Sequence, residues 1–398
     1  MFNLMINIVK KTDCSGCYSC VNICPKECIS IKVDDEGFGY PSIDKYRCID
    51  CNLCEKVCPI INTPKNETID SIAYACKNNN EQARKTSSSG GVFTLLCEEV
   101  IKRDGIVFGA TFDENFDVKH TYAETLEECE KLKGSKYVQS KIGNTYKQAR
   151  NFLNDGRLVL FSGTQCQIKG LNLFLTKGYN NLITSEIICH GVPSPKVFNL
   201  YKDNLKNKYN SNIKHIRFRD KILGWNKFSY VTEFENNEIY SKALNEDIYM
   251  KGFLGDLYLR PSCYKCRAKN FSSNSDISLA DYWGVEKKHL EFDDDKGTSL
   301  VLVNTKKGKD IFEKIYCNME VIKTDMEYAI NNNPCIVRPV KYNKNREKFF
   351  ELIEKENLEY SIRKCITSTF TQKVKWKIRS SLGSIKRTLK IYYINKLL

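Results

Sequence analysis

Eight of the nineteen cysteines fall into one spacing that is written twice. Cys14, Cys17, Cys20 and Cys24 read C-x2-C-x2-C-x3-C and run into Pro25; Cys48, Cys51, Cys54 and Cys58 repeat the pattern and run into Pro59. A cubane 4Fe-4S cluster needs four thiolates converging on four corners. In this pattern three close cysteines wrap one side, and the fourth cysteine of each run closes the other cage. The expected sets are Cys14, Cys17, Cys20 and Cys58 for one cluster and Cys24, Cys48, Cys51 and Cys54 for a second. Each proline ends a short helix and turns the chain back. Structural zinc calls for paired C-x2-C knuckles rather than triplets, and disulfides call for an oxidising compartment. Cys28, just outside the first run, reads as a packed thiol. Clusters of this kind pass single electrons and make no bonds in an organic substrate, so the rest of the chain must supply or accept the electrons.

Four further cysteines sit in settings that could bind metal. Cys166 lies in Ser162-Gly163-Thr164-Gln165-Cys166-Gln167 and Cys189 in Ile188-Cys189-His190-Gly191-Val192-Pro193, each in a glycine-containing turn after an apolar strand. Cys263 and Cys266 form a C-x2-C pair in Arg260-Pro261-Ser262-Cys263-Tyr264-Lys265-Cys266-Arg267. The four could ligate a third 4Fe-4S cluster or a tetrathiolate zinc, and spacing does not separate the two. Arg260, Lys265, Arg267 and Lys269 would offset the thiolate charge. His190 reads either as a donor beside the ligands or as an ordinary hydrogen-bonded structural histidine. Cys166 also stands where a strand-to-helix nucleophile would, although not in a G-x-S-x-G context. Cys76, Cys97, Cys129, Cys317, Cys335 and Cys365 show no ligand spacing and read as small apolar residues.

Other segments favour ligand binding by composition. Ser87-Ser88-Ser89-Gly90-Gly91 precedes a helix; small residues let a ligand approach the backbone, and helix-start amides favour phosphate. A capped helix after a loop explains the same residues, and neither a Walker loop nor GxGxxG is present. Gly134-Ser135-Lys136-Tyr137-Val138-Gln139-Ser140 combines a cation, a ring and amide donors. Asp276-Ile277-Ser278-Leu279-Ala280-Asp281-Tyr282-Trp283-Gly284 reads equally well as a turn with a buried aromatic.

The elements that must position these residues alternate. Ile29–Val33 reads as a strand and Gly37–Pro41 as a turn. Beyond the linker chemistry of Asn62-Thr63-Pro64-Lys65-Asn66, strands are expected at Ile72–Cys76, Gly105–Phe112, Arg157–Phe161 and Leu182–Ile188. Helices are expected at Gly91–Arg103 and Gln167–Leu175, with a turn between Phe161 and Gln167. The expected architecture is α+β or α/β, in three parts. Residues 1–62 form a small two-cluster bacterial ferredoxin-like domain, residues 70–365 a larger mixed α/β domain, and residues 366–398 a basic helical tail.

Composition bounds the rest. The chain has 398 residues, 41% hydrophobic and 11% aromatic, enough for a core and too long for one small domain. Residues 366–398 hold eight basic side chains and no acid out of a net charge of +14, so the charge does not describe a nucleic-acid-binding fold. With its apolar residues, the tail as a helix suits an anionic membrane surface, an acidic partner or its own domain. No apolar run reaches the roughly 18–20 residues of a membrane span, and Met1–Val9 lacks the basic start of a secretion signal. A cytoplasmic protein, peripheral at the inner membrane face through its tail, is expected, with no nucleic-acid partner.

Taken in order, SSSGG, GSKYVQS, GTQCQ, CHGVPS, RPSCYKC and DYWG give a set that resembles the coenzyme F-420 hydrogenase/dehydrogenase beta-subunit family, in its form with a fused two-cluster ferredoxin domain. The match runs from about Cys14 to Gly284, with Gln165 where that family usually has proline. The resemblance implies a flavoprotein that holds FAD beside a 4Fe-4S cluster and exchanges a hydride with a deazaflavin, coenzyme F-420. It makes Ser88, Ser89, Gly90, Gly91, Lys136, Tyr137, Gly163 and Thr164 candidate FAD contacts, and Cys166, Cys189, Cys263 and Cys266 candidate ligands of the third cluster. A flavin accepts an electron pair and releases it singly, which fits it between a hydride donor and the clusters. The expected function is an FAD- and 4Fe-4S-dependent oxidoreductase served by a redox partner protein or a small electron donor. The alternatives are a non-enzymatic electron-transfer subunit, which the resemblance links to surface-polysaccharide biosynthesis, and a zinc-stabilised interaction protein.

Overall fold

The computed structural model describes residues 10–62 and 71–366. The basic segment expected as a membrane-surface helix lies outside the described residues from position 367 onward, as does most of the linker. Among the described residues no helix is long and apolar enough to cross a membrane.

Both cysteine runs use the same backbone device. Gly16 and Asp50 have φ of 68° and 50°, and Tyr18 and Asn52 have 65° and 58°. The short helices Ser19–Ile23 and Leu53–Lys56 begin directly after the second member of each pair. Two left-handed residues within five positions reverse the curl of the chain, so thiols three residues apart face a common space. Between the runs, β1 (Ile29–Val33) pairs antiparallel with β2 (Gly39–Ile43). The turn is tighter than the sequence suggests. Asp34 Oδ1 accepts from the amides of Glu36 and Phe38 at 3.1 and 2.9 Å, which closes the reversal before Gly39 and leaves Tyr40 and Pro41 in the strand.

The remaining strands are β3 (Ile72–Asn78), β4 (Ile106–Phe112), β5 (Val118–Ala123), β6 (Val159–Thr164), β7 (Leu182–Ile187), β8 (Ile213–Asp220), β9 (Ser229–Phe234), β10 (Ile239–Ala243), β11 (Ile277–Asp281), β12 (Ser299–Val303) and β13 (Met319–Thr324). Eight of them form one mixed sheet in the order β13-β3-β12-β11-β7-β6-β4-β5. At its centre β4, β6, β7 and β11 are parallel neighbours, so their carboxyl ends share one edge. They are buried on both faces, which is why Val159-Leu160-Phe161 reads as an unbroken apolar run. Helices Val92–Ile101 and Lys306–Ile315 cover one face, and Thr145–Asn154 and Gln165–Leu175 the other. The antiparallel sheet β10-β9-β8 shares a separate core with helices Pro195–Tyr209 and Ile248–Leu254.

Two expectations are corrected. Ser162 and Gly163 do not turn but extend β6 to Thr164, and the helix starts at Gln165 because Thr164 and Gln167 form a reciprocal capping box. The segment around Leu279 is not a turn: Ile277–Asp281 is β11, parallel to β7 and antiparallel to β12, and the expected turn with its buried aromatic follows at Tyr282, Trp283 and Gly284.

The ferredoxin-like part is seated on the large sheet by buried polar contacts. Arg260 has no exposed surface; its Nε donates to Cys14 O at 2.7 Å, Nη2 to Gly39 O at 3.0 Å and Nη1 to Gln139 Oε1 at 2.9 Å. Its cation lies 4.3 Å from the Tyr40 ring centre. Arg346 pairs with both carboxylate oxygens of Glu36 and donates from Nε to Leu259 O. Helix Gln165–Leu175 approaches so closely that a Cβ on Gly170 would stand 2.9 Å from Cys17 Cβ. Arg260→Ala should cost at least about 3 kcal/mol, since a charge-assisted hydrogen bond contributes about 1.5–3 kcal/mol. Thermal melts of the variant, with iron retained by the ferredoxin-like part as a second readout, check this; an unchanged melt would show the seat is held elsewhere.

Candidate functional site

Three spaces are lined by the predicted cysteines. The first, about 370 Å³, has Cys14, Cys17, Cys20 and Cys58 on its wall, and the second, about 380 Å³, has Cys24, Cys48, Cys51 and Cys54. Each space thus draws three thiols from one run and the fourth from the other. The second also has a fifth thiol: Cys28 lines it, with its sulfur 3.4 Å from that of Cys24. Cys28 is therefore not simply a packed thiol, and its place four residues after Cys24 was the available signal.

The third space, about 610 Å³, is lined by Cys166, Cys189, Cys263 and Cys266. Cys166 stands in the first turn after β6, with its sulfur 3.3 Å from Thr164 Oγ1. Cys189 follows β7. Cys263 lies in the 3-10 turn Pro261–Lys265, its sulfur accepting from the Val192 amide at 3.4 Å, and Cys266 ends that turn. Burial pushes the thiols of Cys166, Cys189 and Cys263 up to about 12 each, and neighbouring thiols add to the rise. The cations are only partly those expected. Arg267 and Lys269 line the space, and Lys269 Nζ donates to Cys189 O. Lys265 is exposed, while Arg260, although it hydrogen-bonds to the ferredoxin-like part, still offsets the charge of the Cys263 thiolate as expected. Lys169, unforeseen, lines the space from the helix, its Nζ 3.2 Å from Arg267 O.

His190 belongs to the wall of this space and to that of the next. Its Nε2 meets Asp256 and its Nδ1 lies 3.9 Å from the Cys335 sulfur. Burial opposes its charge, but these two partners outweigh burial and lift it to about 9. It is hydrogen-bonded, though to none of the four cysteines.

Beyond it opens a cleft of about 1420 Å³ at the carboxyl ends of the parallel strands, where open α/β sheets bind ligands. Ser88, Ser89, Gly91, Lys136, Tyr137, Gly163 and Thr164 all line it. Gly90 does not. It lies beneath the loop, where a Cβ would run into Cys76 O and come within 2.6 Å of Ser299 N, so its role is to let the loop touch β3 and β12. Ser88 Oγ accepts from the Ser135 amide at 2.7 Å, tying the serine loop to the Gly134–Ser140 loop. Lys136 turns back on its own loop, donating to the carbonyls of Lys133 and Gly134 at 2.8 and 3.2 Å, and burial pulls it down to about 7.

Two cleft residues went unrecognised in the sequence. His120 on β5 sits against Ser162 O at 3.1 Å through Nε2, and burial pulls it down to about 4; its Nδ1 has no partner among the described residues. Arg219 on β8 reaches the cleft from the smaller sheet. A lone histidine and one arginine of an Arg-Phe-Arg strand carry no motif, so only the fold identifies them.

Comparison with known proteins supplies the family. Residues 13–60 match the 4Fe-4S dicluster domain model. The chain is 38% identical over 55 residues to NADH-quinone oxidoreductase subunit I 2 of Geobacter metallireducens, covering 13% of this chain and 42% of that protein. It is 48% identical over 42 residues to Ferredoxin 7Fe of Hydrogenibacillus schlegelii, covering 11% and 47%. The chain thus spans less than half the length of these curated relatives. A chain of the F420-reducing [NiFe] hydrogenase complex from Methanosarcina barkeri superposes with a TM-score of 0.47 at 18% identity, over 71% of this chain and 91% of that one. Residues 73–146 match the model of the N-terminal part of the coenzyme F420 hydrogenase/dehydrogenase beta subunit, and residues 156–328 that of its C terminus. These two stretches supply the whole cleft edge and all four cysteines of the third space, and the chain belongs to the coenzyme F420 hydrogenase/dehydrogenase beta-subunit family.

Proposed function

We propose that the protein is an oxidoreductase that passes electrons between a two-electron hydride donor or acceptor and three 4Fe-4S clusters through FAD. The proposed ligands are Cys14, Cys17, Cys20 and Cys58; Cys24, Cys48, Cys51 and Cys54; and, for the inner cluster, Cys166, Cys189, Cys263 and Cys266. The carrying observation is that the spaces adjoin in one order. The two ferredoxin-like spaces approach through Cys20 and Cys54, whose charges interact. The first of them shares Ser15, Pro59 and Ile60 with the inner space, which shares Thr164, Cys189, His190, Gly191 and Val192 with the cleft. The cleft, the inner space and the first ferredoxin-like space are thus separated by shared walls, and the second ferredoxin-like space lies next to the first.

Charge supports a metal centre in the inner space. Burial holds the thiols of Cys166, Cys189 and Cys263 against ionisation in spite of the nearby lysines, and a bound cluster would supply the positive charge that draws them to thiolates. Among the described residues no three of His, Cys, Asp or Glu stand close enough to hold one ion.

The cleft fits a flavin in chemistry. Its wall has the bare nitrogen of His120, which Nε2–H to Ser162 O leaves as an acceptor. Bound there, FAD would supply the conversion between an electron pair and single electrons. The chain's own part is to position it. Ser88 and Ser89 offer hydroxyls at a helix start, Gly91 and Gly163 let the ring or chain approach the backbone, and Tyr137 supplies an apolar wall. The partner at the far end is a deazaflavin, another hydride carrier or a redox protein.

Anaerobic reconstitution should yield about twelve irons and one released FAD per chain, from three four-iron clusters. About eight irons without flavin would instead mark a non-enzymatic electron-transfer subunit. Cys263→Ser should lose about four irons while the ferredoxin-like signals remain; an unchanged iron content removes the inner-cluster assignment. His120 gives a pH test. Its folded value near 4 lies below the ordinary 6.5, so the unfolded chain takes the proton first as pH falls, and stability present above about 6.5 is lost down to about 4. His120→Gln should flatten that limb in chemical denaturation measured across the range.

A further inference from the structure

We propose that Arg219 is the oxyanion clamp of the cleft, taking two oxygens of one phosphate of the bound molecule on its Nε and Nη2. This deepens the flavin reading and rests on it for the identity of the cleft, but not for the chemistry of the site. Arg219 is 9% exposed and lies on β8, where strict alternation would send it and Phe218 to opposite sides. The β8–β9 register slips between Arg217 and Asp220, and Phe218 and Arg219 are both buried as a result. Arg217 stays outside, paired with Asp220 and Glu233. Irregularities of this kind re-aim side chains beside functional sites.

Once aimed inward, the guanidinium is fixed on three sides. Nη1 pairs with Asp281 Oδ2, and the other Asp281 oxygen accepts from Trp225 Nε1 at 3.0 Å. The Phe228 ring centre lies 4.3 Å from the guanidinium carbon and that of Trp283 5.5 Å. Neither Nε nor Nη2 has a hydrogen-bond partner among the described residues, although both atoms are buried. The Tyr137 side chain stands close enough to the guanidinium to act on it as both a charge and a hydrogen-bonding neighbour, yet it completes no well-formed hydrogen bond to either nitrogen. Buried donors on a cation are rarely left unmatched. Nε–H and Nη2–H project from one edge of the planar group, the fork that suits two oxygens of a phosphate.

The surroundings select an anion. Asp281 is the one carboxylate among the described residues lining the cleft, against Arg219, Lys133 and Lys136. Lys221, two residues beyond Arg219, donates to the carbonyls of Arg84, Ser89 and Lys296, so the end of β8 is bound to the serine loop that opens helix Val92–Ile101. Arg219 thus borders the same cleft as the serine-loop hydroxyls and the helix start, which favour the same kind of anion. The phosphate belongs either to the diphosphate of FAD or to a phosphate-bearing hydride carrier.

The test uses the full chain reconstituted anaerobically, with FAD titrated back after removal. Arg219→Gln should weaken FAD by roughly 10- to 100-fold and leave riboflavin, which lacks phosphate, unchanged; Arg219→Lys, a charge without a fork, should recover only part. Unchanged flavin binding with a KM for a phosphate-bearing hydride carrier raised by that factor, at constant kcat, assigns the phosphate to the carrier. Equal loss of FAD and riboflavin, or no change in either flavin or KM, overturns the clamp. Because Arg219→Gln strands the Asp281 carboxylate, the double variant Arg219→Gln/Asp281→Asn is measured alongside and should show the same phosphate-selective loss. Calorimetry with ADP and inorganic pyrophosphate separates the two readings. If the chain holds no flavin but binds pyrophosphate through Arg219, the clamp stands and the flavin reading falls; pyrophosphate binding indifferent to Arg219 removes the clamp.

Discussion

Arg260 leaves the same short turn that presents Cys263 and Cys266, yet two of its three guanidinium nitrogens end on backbone carbonyls of the ferredoxin-like part. One of those carbonyls belongs to Cys14, so a thiol of the first space and two thiols of the inner space hang from one buried cation. Electron transfer between the proposed clusters depends on a short separation held constant, and a guanidinium without exposed surface, each of whose three nitrogens donates a hydrogen bond, provides that rigidity. The neighbouring glycines are matched to it. A Cβ on Gly16 would stand 2.9 Å from Arg260 Nη1, and one on Gly170 would meet Ser19 and Cys17. Small residues at these two points let the parts approach at a distance that side chains would otherwise widen.

Electrostatics grade the path. The ferredoxin-like spaces are lined by thiols and few cations, whereas the inner space has Lys169, Arg267 and Lys269 on its wall. Lys169 and Lys269 are themselves buried, and their ammonium groups are held by carbonyls of the segments that carry the cysteines. Positive charge fixed near a proposed cluster favours its reduced state, so the inner site is placed to differ in potential from the outer pair. The fifth thiol, Cys28, gives the second outer space an asymmetry of its own.

What the sequence discloses follows from range. The dicluster domain is legible because ligand spacing is local, and the expected crossed sets of four are the sets of thiols that line the two spaces. The parallel strands are legible because burial on both faces leaves unbroken apolar runs. Gly90 is misread because glycine serves a close backbone approach as readily as a ligand, and the strands it approaches are over two hundred residues apart in sequence: Cys76 and Ser299. Among the charges expected around the inner cysteines Lys265 is misread and Lys169 is missed for the same reason, since position in the chain says which basic residues are near and not where they point. Arg219 is the extreme case. Its place depends on a slipped register between two strands of another sheet, a feature without any signature in residue types.

The cleft and the inner space are separate volumes with a common wall, and the wall is made of strand ends. Thr164 ends β6 with its hydroxyl beside the Cys166 sulfur, and it also lines the cleft. His190 follows Cys189 and also borders both. Residues shared in this way are the shortest link that the fold can offer between a proposed flavin and a proposed cluster. They also restrict it: a change that widens the cleft at Thr164 or Gly191 moves a cysteine or its nearest neighbour. Variation in the electron donor is therefore easier to accommodate at the far end of the cleft, where Arg219 and the serine loop come from elements that bear none of the four cysteines.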